Sequence, residues 1–364
     1  MKILLIGEYS NVHWTLAEGL RALGHEVTVL SDGDGWKNYQ RDISIVRKKT
    51  TLGKYSYLAR LASVWPRLRG YDVVQIINPV FIDIKGERIW PFYQYLRRHN
   101  GKVFLGAYGI DKYWVKAAMD CTTFRYSDFN IGSEMRHNTF NDEMLNVWLN
   151  GAKGKLNDRI AQDCDGIIAG LYEYNASYKP YFVDKLKFIP FPINLSLKES
   201  RIRKADDGVV KFMVGVQKER SAYKGTDIML KALERVKAAY PDKCQVRVVE
   251  SVPFEEYIQI FDESHVLLDQ LYSYTPAMNA LQAMAQGMVV VSGGEPESYE
   301  ILGEQELRPI VNTQPNEESV YQELVKLVEH PEQIENLSRQ SIEYVRRHHS
   351  HISVAQQYSD FYNK

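Results

Sequence analysis

The sequence has few cysteines, almost no net charge and no apolar run long enough to cross a membrane. Its three cysteines, Cys121, Cys164 and Cys244, stand far apart in 364 residues, which argues against a disulfide framework or a zinc site and for a reducing compartment. A net charge of -1 gives no overall attraction to nucleic acid. The first residues predict a strand ending at Gly7 and not a signal peptide, and no run approaches the roughly 20 apolar residues of a membrane span. We therefore expect a cytoplasmic protein with no nucleic-acid partner.

The composition and length fit a two-domain globular protein. Apolar residues make up 45% and charged residues 25% of the chain, as in ordinary soluble proteins, and the length suits two domains of about 150 to 200 residues. Short apolar runs alternate with helical periods, which predicts α/β domains with parallel sheets. A highly charged stretch from Ser196 to Asp207 predicts a linker. We expect an N-terminal domain over 1–196, a C-terminal domain over 207–345 and a terminal helix within 346–364.

The stretch from Thr275 to Glu297 predicts a short helix followed by a buried strand. Thr275 is a good N-cap, Pro276 suits the first helical position, and Gly287 suits the C-cap. The free backbone N–H groups near Met278 and Asn279, at the positive end of the helix dipole, then form a phosphate site. The alternative is an ordinary α/β unit whose helix only packs against the sheet.

A basic loop is expected opposite this helix start. Lys218, Arg220 and Lys224 follow the predicted strand Val209 to Val216, so they lie at the carboxyl end of that strand, where α/β sheets bind ligands. Fixed cations there stabilise a diphosphate leaving group without a metal. The alternative is a solvent-exposed loop that carries cations by chance.

These segments resemble the donor-binding half of family-four retaining glycosyltransferases of the GT-B fold. The residues that match the family pattern are Leu281, Ala283, Met284, Ala285 and Gly287, together with the pairs Lys224-Gly225 and Pro296-Glu297 and the early phrase from Leu23 to Leu30. The family's two glutamates, eight residues apart, fall here on Tyr274 and Gln282. Gln282 can still hydrogen-bond a ribose, without the charge-assisted strength of a carboxylate.

The resemblance implies two Rossmann-like, doubly wound domains that face each other across a cleft, with the terminal helix returning to the N-terminal domain. It implies sugar transfer with retention, without metal or cofactor, from a UDP- or GDP-sugar to a glycan or lipid-linked acceptor. The loop from Ser251 to Pro253 would meet the nucleobase. The implied donor-binding residues are Lys218, Arg220, Lys224, Tyr274, Thr275, Met278, Asn279, Gln282 and Glu297.

Two places in the N-terminal domain are further candidates. Ser10 and Asn11 stand where the family has a glycine pair, and with His13 they can offer side-chain donors to phosphate or acceptor; His13 can equally be structural. Tyr108 and Asp111 stand where the family has His-Gly-x-Asp, which makes them the candidate catalytic residues, with Asp111 contacting the sugar or the acceptor hydroxyl. The alternative for Asp111 is a helix N-cap. The aromatic stretch 112–150 predicts an acceptor-binding lid.

The region from Arg41 to Arg69 is strongly basic and is opposed only by Asp42. Its cations are interleaved with Tyr55, Tyr57 and Trp65, a combination typical of peripheral contact with anionic lipid at the inner face of a membrane. The alternative is a solvated basic face.

The two replaced glutamates leave three hypotheses open. The first is an active glycosyltransferase of the hexosyltransferase type that builds a surface polysaccharide or glycolipid. The second is an epimerase or hydrolase acting on a nucleotide-sugar. The third is a non-catalytic GT-B homologue that binds nucleotide, glycan or a partner subunit.

Overall fold

The structure is a computed structural model that describes residues 1–216, 224–250 and 254–364. These residues form two compact units. Unit 1 contains residues 1–123, 137–194 and 350–364, and unit 2 contains residues 124–136 and 195–349. The sequence analysis assigned 124–136 to the first domain; the segment groups with unit 2 because Phe124 and Tyr126 pack against Tyr274.

Unit 1 is built on a parallel sheet whose seven strands, over the described residues, lie in the order β3-β2-β1-β4-β5-β8-β9. These strands are β1 (Lys2–Ile6), β2 (Glu26–Ser31), β3 (Ile43–Ser44), β4 (Val73–Ile76), β5 (Lys102–Ala107), β8 (Gly166–Ala169) and β9 (Leu186–Phe188). The helices are α1 (Val12–Ala22), α2 (Thr51–Val64), α3 (Trp90–His99), α4 (Lys112–Met119), α5 (Thr139–Met144), α6 (Ala152–Asp163), α7 (Tyr172–Phe182) and the last helix of the chain, α14 (His351–Tyr362). Strands such as β4 are buried along their whole length, as expected for a parallel sheet that is covered on both faces.

Unit 2 repeats this architecture with a parallel sheet whose five described strands lie in the order β11-β10-β12-β13-β14. The strands are β10 (Val210–Gly215), β11 (Cys244–Val249), β12 (Val266–Leu268), β13 (Val289–Ser292) and β14 (Ile310–Asn312). The helices are α8 (Thr226–Ala239), α9 (Phe254–Glu263), α10 (Met278–Ala285), α11 (Pro296–Leu302), α12 (Glu317–Glu329) and α13 (Gln333–His349). The short antiparallel strands β6 (Asn130–Ile131) and β7 (Glu134–Met135) lie in the 124–136 segment.

The terminal helix α14 packs closely on α1 within unit 1. A Cβ atom added at Gly19 of α1 would lie only 2.3 Å from the carbonyl oxygen of His351. No side chain fits there without moving one of the two helices, so the glycine permits the close approach.

Helix α10 begins slightly later than the sequence predicts. Ala277, and not Thr275, occupies the N-cap position, and its side chain makes no capping hydrogen bond. Gly287 follows the helix with a φ of 86°, in the left-handed conformation predicted for it. The first-turn amides of Met278 and Asn279 are therefore left without a side-chain cap.

Among the described residues, none of the helices combines the length and the apolar character that crossing a membrane requires.

Candidate functional site

The start of α10 lies at the carboxyl edge of the unit 2 sheet, between β12 and β13. Asp269 directly follows β12 and is buried, and its Oδ1 accepts a hydrogen bond of 2.9 Å from Nδ2 of Asn279. The side chain of Asn279 is therefore used to fix the start of the helix. An anion at this place would meet the backbone amides of the first turn, which is how helix N-termini bind phosphate.

Lys224 lies at the same edge. Its carbonyl oxygen accepts a hydrogen bond of 2.8 Å from the amide of Leu271, which joins the residue just before Gly225 to the loop that leads into α10. Gly225 follows with a φ of 72°, and a Cβ atom there would lie 2.7 Å from the Cβ of Leu271. This tight approach explains why the position after Lys224 needs glycine.

Three sequence predictions concern residues that the structure does not describe. Lys218 and Arg220 lie outside the described residues, as does the loop from Ser251 to Pro253.

Tyr274 and Glu297 both contact Arg125, which the sequence analysis did not single out. The Tyr274 side chain is only 2% exposed, and its hydroxyl accepts a hydrogen bond of 2.7 Å from the backbone N–H of Arg125. Glu297 forms an ion pair with the Arg125 guanidinium, and that hydrogen-bonded partner lowers the pKa of Glu297 below its usual value. Thr275 is buried beside Tyr274, and the half-buried Gln282 lies on α10, where its carbonyl accepts from Gln286.

Glu295, at the end of the loop after β13, is a second residue that the sequence analysis missed. Burial acts to raise the pKa of its carboxyl, but hydrogen bonds from Tyr126, Asn312 and Gln314 and the charge of Arg125 lower it overall. Glu295 is therefore a buried carboxylate whose charge is compensated. No local sequence signal could have found these contacts, because Arg125 and Glu295 are 170 residues apart.

In unit 1, the N-terminus of α1 is occupied by a carboxyl group of the same chain. The two oxygens of Glu8 accept hydrogen bonds of 3.1 Å from the amide of His13 and 2.9 Å from the amide of Trp14. Burial raises the pKa of Glu8 to about 8, against the effect of these hydrogen bonds. Ser10 and Asn11 form the turn before the helix with positive φ values of 51° and 70°. The donors of this first turn are thus already committed to Glu8.

Both ring nitrogens of His13 are engaged inside unit 1. Nδ1 lies 2.8 Å from the carbonyl oxygen of Gly7, so it carries the proton, and Nε2 accepts from Nε2 of Gln75 at 3.0 Å. Burial lowers the pKa of His13 to about 3. The ring is therefore neutral and holds the structure around β1 and β4, in line with the structural alternative.

Tyr108 and Asp111 are also buried and bonded within unit 1. The Tyr108 hydroxyl lies 2.5 Å from that of Tyr358 on α14 and accepts from Gln75 at 3.1 Å. Asp111 caps α4 by accepting from the amide of Trp114 at 2.9 Å, and it accepts from the Tyr178 hydroxyl at 2.7 Å. Burial raises the pKa of Asp111 to about 6, against these hydrogen bonds. In this structure Asp111 has the geometry of a helix N-cap, and Tyr108 ties the terminal helix to the sheet.

The predicted site residues therefore fall into two groups. Unit 2 brings Lys224, Tyr274, Thr275, Met278, Asn279, Gln282 and Glu297 to its carboxyl edge or to α10. Unit 1 holds Ser10, Asn11, His13, Tyr108 and Asp111 near the carboxyl ends of β1 and β5, mostly in contacts that stabilise the unit itself.

Comparison with known families matches residues 217–360 to the model of a family described as glycosyl transferase-like. The matched segment contains Lys224, α10 and Glu297. No match is found among curated proteins.

Comparison with solved structures finds similar folds over the whole chain. Sucrose-phosphate synthase from Thermosynechococcus elongatus is similar with a TM-score of 0.63 and 14% identity, covering 100% of this chain and 98% of the other. Anabaena HepE in complex with UDP-glucose is similar with a TM-score of 0.61 and 11% identity, covering 99% and 98%. WaaG, a glycosyltransferase involved in lipopolysaccharide biosynthesis, is similar with a TM-score of 0.55 and 12% identity, covering 99% of each chain.

These likenesses confirm the predicted fold class. The chain has two parallel α/β units with the fold of GT-B glycosyltransferases, and most of the glycosyl transferase-like segment lies in unit 2.

Proposed function

We propose that the protein transfers a hexose from a UDP- or GDP-sugar to a glycan or lipid-linked acceptor, with retention at the anomeric carbon and without a metal ion. The observation that carries this proposal is the start of α10, whose N-cap residue makes no side-chain capping bond, in the unit where Lys224 bonds the loop that leads into this helix, inside the segment that matches a glycosyl transferase-like family. The complex of the similar Anabaena protein with UDP-glucose supports this class of donor.

The donor diphosphate would lie against the amides of Met278 and Asn279 and the ammonium group of Lys224. Amides at a helix start and a fixed cation stabilise the charge that develops on a diphosphate leaving group, and they require no reorganisation during the reaction. Lys218 and Arg220 remain part of the proposal as further cations. Gln282 would hydrogen-bond the ribose through its amide.

The acceptor side is assigned to unit 1. Asp111 would contact the transferred sugar or the acceptor hydroxyl, with Tyr108 beside it. Because both side chains are bonded inside unit 1, this role requires Asp111 to exchange its hydrogen bond from Tyr178 for one from the substrate.

Titration with UDP and GDP by calorimetry tests the donor site. We expect Lys224→Ala to weaken binding of the preferred nucleotide at least tenfold, since the variant lacks a cation next to the diphosphate. Lys231→Ala is the matched control, because Lys231 is an exposed lysine on α8, the helix that Gly225 precedes, and it should bind as the parent does. Equal binding by Lys224→Ala and the parent would overturn this placement of the diphosphate.

We further propose that the surface around α2 contacts anionic lipid. Leu52 is 82% exposed and Tyr55 65%, and the nearby Lys48 and Lys54 are exposed as well. Exposed aromatic and aliphatic side chains among cations suit the interface of an anionic membrane.

The structure corrects the list of aromatic residues that this surface offers. The sequence analysis included Tyr57 and Trp65, but both are buried, since they lie on the side of the helical segment that packs on the core of unit 1. Tyr55 is the aromatic side chain of this region that supports a lipid contact.

Co-sedimentation with phosphatidylglycerol vesicles and with phosphatidylcholine vesicles tests this contact. We expect binding to the anionic vesicles only, with loss in the Lys48→Glu/Lys54→Glu variant and at high salt. A variant with two exposed lysines elsewhere changed to glutamate, Lys231→Glu/Lys243→Glu, controls for net charge. If the two double variants sedimented equally with anionic vesicles, the lipid contact would be wrong and the basic region would be a solvated face.

A further inference from the structure

Residues 124–136, which we call the strap, form a small folded hairpin that is built around Asn130. The Asn130 side chain is buried, and its Nδ2 donates to the carbonyl oxygens of Phe124 at 2.9 Å and Gly132 at 3.0 Å. The amide of Gly132 donates to the carbonyl of Arg125 at 2.7 Å. These bonds fix the hairpin, so its side chains are presented to the rest of unit 2 as one body.

The strap covers the loop that leads into α10. The rings of Phe124 and Tyr126 lie 5.7 Å and 5.0 Å from the ring of Tyr274. At the other end of the strap, the guanidinium of Arg136 lies 3.5 Å from the ring centroid of Tyr272. Tyr274 is nearly inaccessible as a result.

Arg125 is the polar centre of this contact. Its Nη2 lies 2.8 Å from Oε2 of Glu295 and 3.1 Å from Oε2 of Glu297, and its Nη1 bonds Oε1 of Glu297. Its backbone N–H donates to the Tyr274 hydroxyl at 2.7 Å. A single residue thereby engages the polar atoms of both Tyr274 and Glu297.

The solvent exposure of Arg125 and Glu297 indicates that the contact between them can open. The Arg125 side chain remains 55% exposed and that of Glu297 23% exposed, so solvent reaches the ion pair and can take over its hydrogen bonds. Glu295 keeps three neutral donors, Tyr126, Asn312 and Gln314, in addition to Arg125. If Arg125 were lost, the buried Glu295 carboxylate would still accept hydrogen bonds from these three side chains.

We propose that the strap is a lid over the donor side of unit 2 and that Arg125 is its latch. The inference rests on the proposed function, because Tyr274 and Glu297 are among the donor-binding residues that the family resemblance implies. With the strap docked, the Tyr274 hydroxyl and the Glu297 carboxylate are both committed to Arg125. A donor that uses them binds only after the latch opens.

A latch of this kind reduces the apparent affinity for the donor. When only a fraction of the molecules is open, the apparent Kd equals the intrinsic Kd divided by that fraction. Removal of the Arg125 ion pair raises the open fraction. We therefore expect Arg125→Ala to bind the nucleotide-sugar more tightly than the parent, by at least threefold.

Arg235→Ala is a matched control. Arg235 also pairs with two glutamates, Glu317 and Glu318, within unit 2, but it lies on α8, whereas the strap packs at the loop before α10. The probes are UDP-glucose and GDP-mannose, titrated by calorimetry into the full chain. The control should retain the parent's Kd for whichever probe the parent binds. An unchanged or weaker Kd in Arg125→Ala would overturn the latch.

Hydrogen exchange provides a readout that needs no ligand. The amides of 124–136 should exchange faster in Arg125→Ala, and also in Glu297→Gln, which keeps the shape of the side chain, than in the parent or in Arg235→Ala. Unchanged exchange of the strap in both variants would overturn the latch even if neither nucleotide-sugar binds. Failure of the parent to bind any nucleotide would instead count against the proposed function.

Discussion

The N-termini of α1 and α10 occupy comparable places in the two units, each at the carboxyl edge of a parallel sheet. The start of α1 is closed by the carboxyl group of Glu8, which accepts from the amides of His13 and Trp14. The start of α10 has Ala277 at its N-cap and no side-chain cap within the described chain. A helix start that is already bonded to a carboxyl group has fewer donors left for an external anion. The comparison supports our proposal that phosphate binds in unit 2.

The largest expected effect comes from giving the start of α10 a side chain that occupies its first-turn amides, as the Glu8 carboxyl group does at α1. Ala277→Asp places a carboxylate at the N-cap, where it accepts from the first-turn amides and repels phosphate. We expect UDP or GDP binding to fall by about tenfold to a hundredfold, corresponding to about 1.4 to 2.8 kcal/mol, as measured by calorimetry.

Ala277→Asn separates the effect of an N-cap hydrogen bond from the effect of negative charge, since asparagine caps helices about as well as aspartate but is neutral. Its nucleotide affinity should fall less than that of Ala277→Asp. If the aspartate variant binds nucleotide as the parent does, the start of α10 is not the phosphate site.

The next effect concerns the closed helix start in unit 1. Because folding raises the pKa of Glu8 from 4.5 to about 8, the folded state holds a proton that the unfolded state has lost between these pH values. The contribution of Glu8 to stability is therefore fully present below pH 4.5 and is lost as the pH rises through 8, with a slope of at most about 1.4 kcal/mol per pH unit. Glu8→Gln should reduce this slope in urea unfolding at pH 5.5 and pH 7.5. An identical slope in parent and variant would show that Glu8 is not the buried acid described here.

The smallest expected effect is at His13. Its pKa is lowered to about 3 by burial, so the imidazole should stay neutral in NMR spectra recorded down to pH 5, with the proton on Nδ1. Addition of UDP or GDP should leave its resonances unchanged while those of the α10 amides shift. A nucleotide-dependent shift of the His13 ring would place phosphate in unit 1 and reverse the comparison.

The features that the sequence predicted correctly are those that local patterns encode. The buried strand β13 and the glycine after α10 follow from an apolar run and a C-cap position, both within a few residues. The fold class followed from the alternation of apolar runs with helical periods and from residues such as Leu281 and Gly287 that match the pattern of a known family; similar solved structures confirm it.

The features that the sequence could not predict depend on contacts between distant residues. The exposure of Tyr55 and the burial of Tyr57 depend on which side of α2 meets the core. Arg125 meets Glu297 across 172 positions, and no spacing rule connects an arginine to a carboxylate at that separation. The closure of α1 by Glu8 depends on a turn in which Ser10 and Asn11 both have positive φ, a conformation that is uncommon outside glycine and that asparagine adopts more readily than serine.

The most direct test is a crystal structure of the full chain with UDP or GDP bound. We expect phosphate oxygens within hydrogen-bond distance of the amides of Met278 and Asn279 and of the ammonium group of Lys224. A nucleotide whose phosphates lie at the start of α1, or anywhere away from α10, would contradict this expectation.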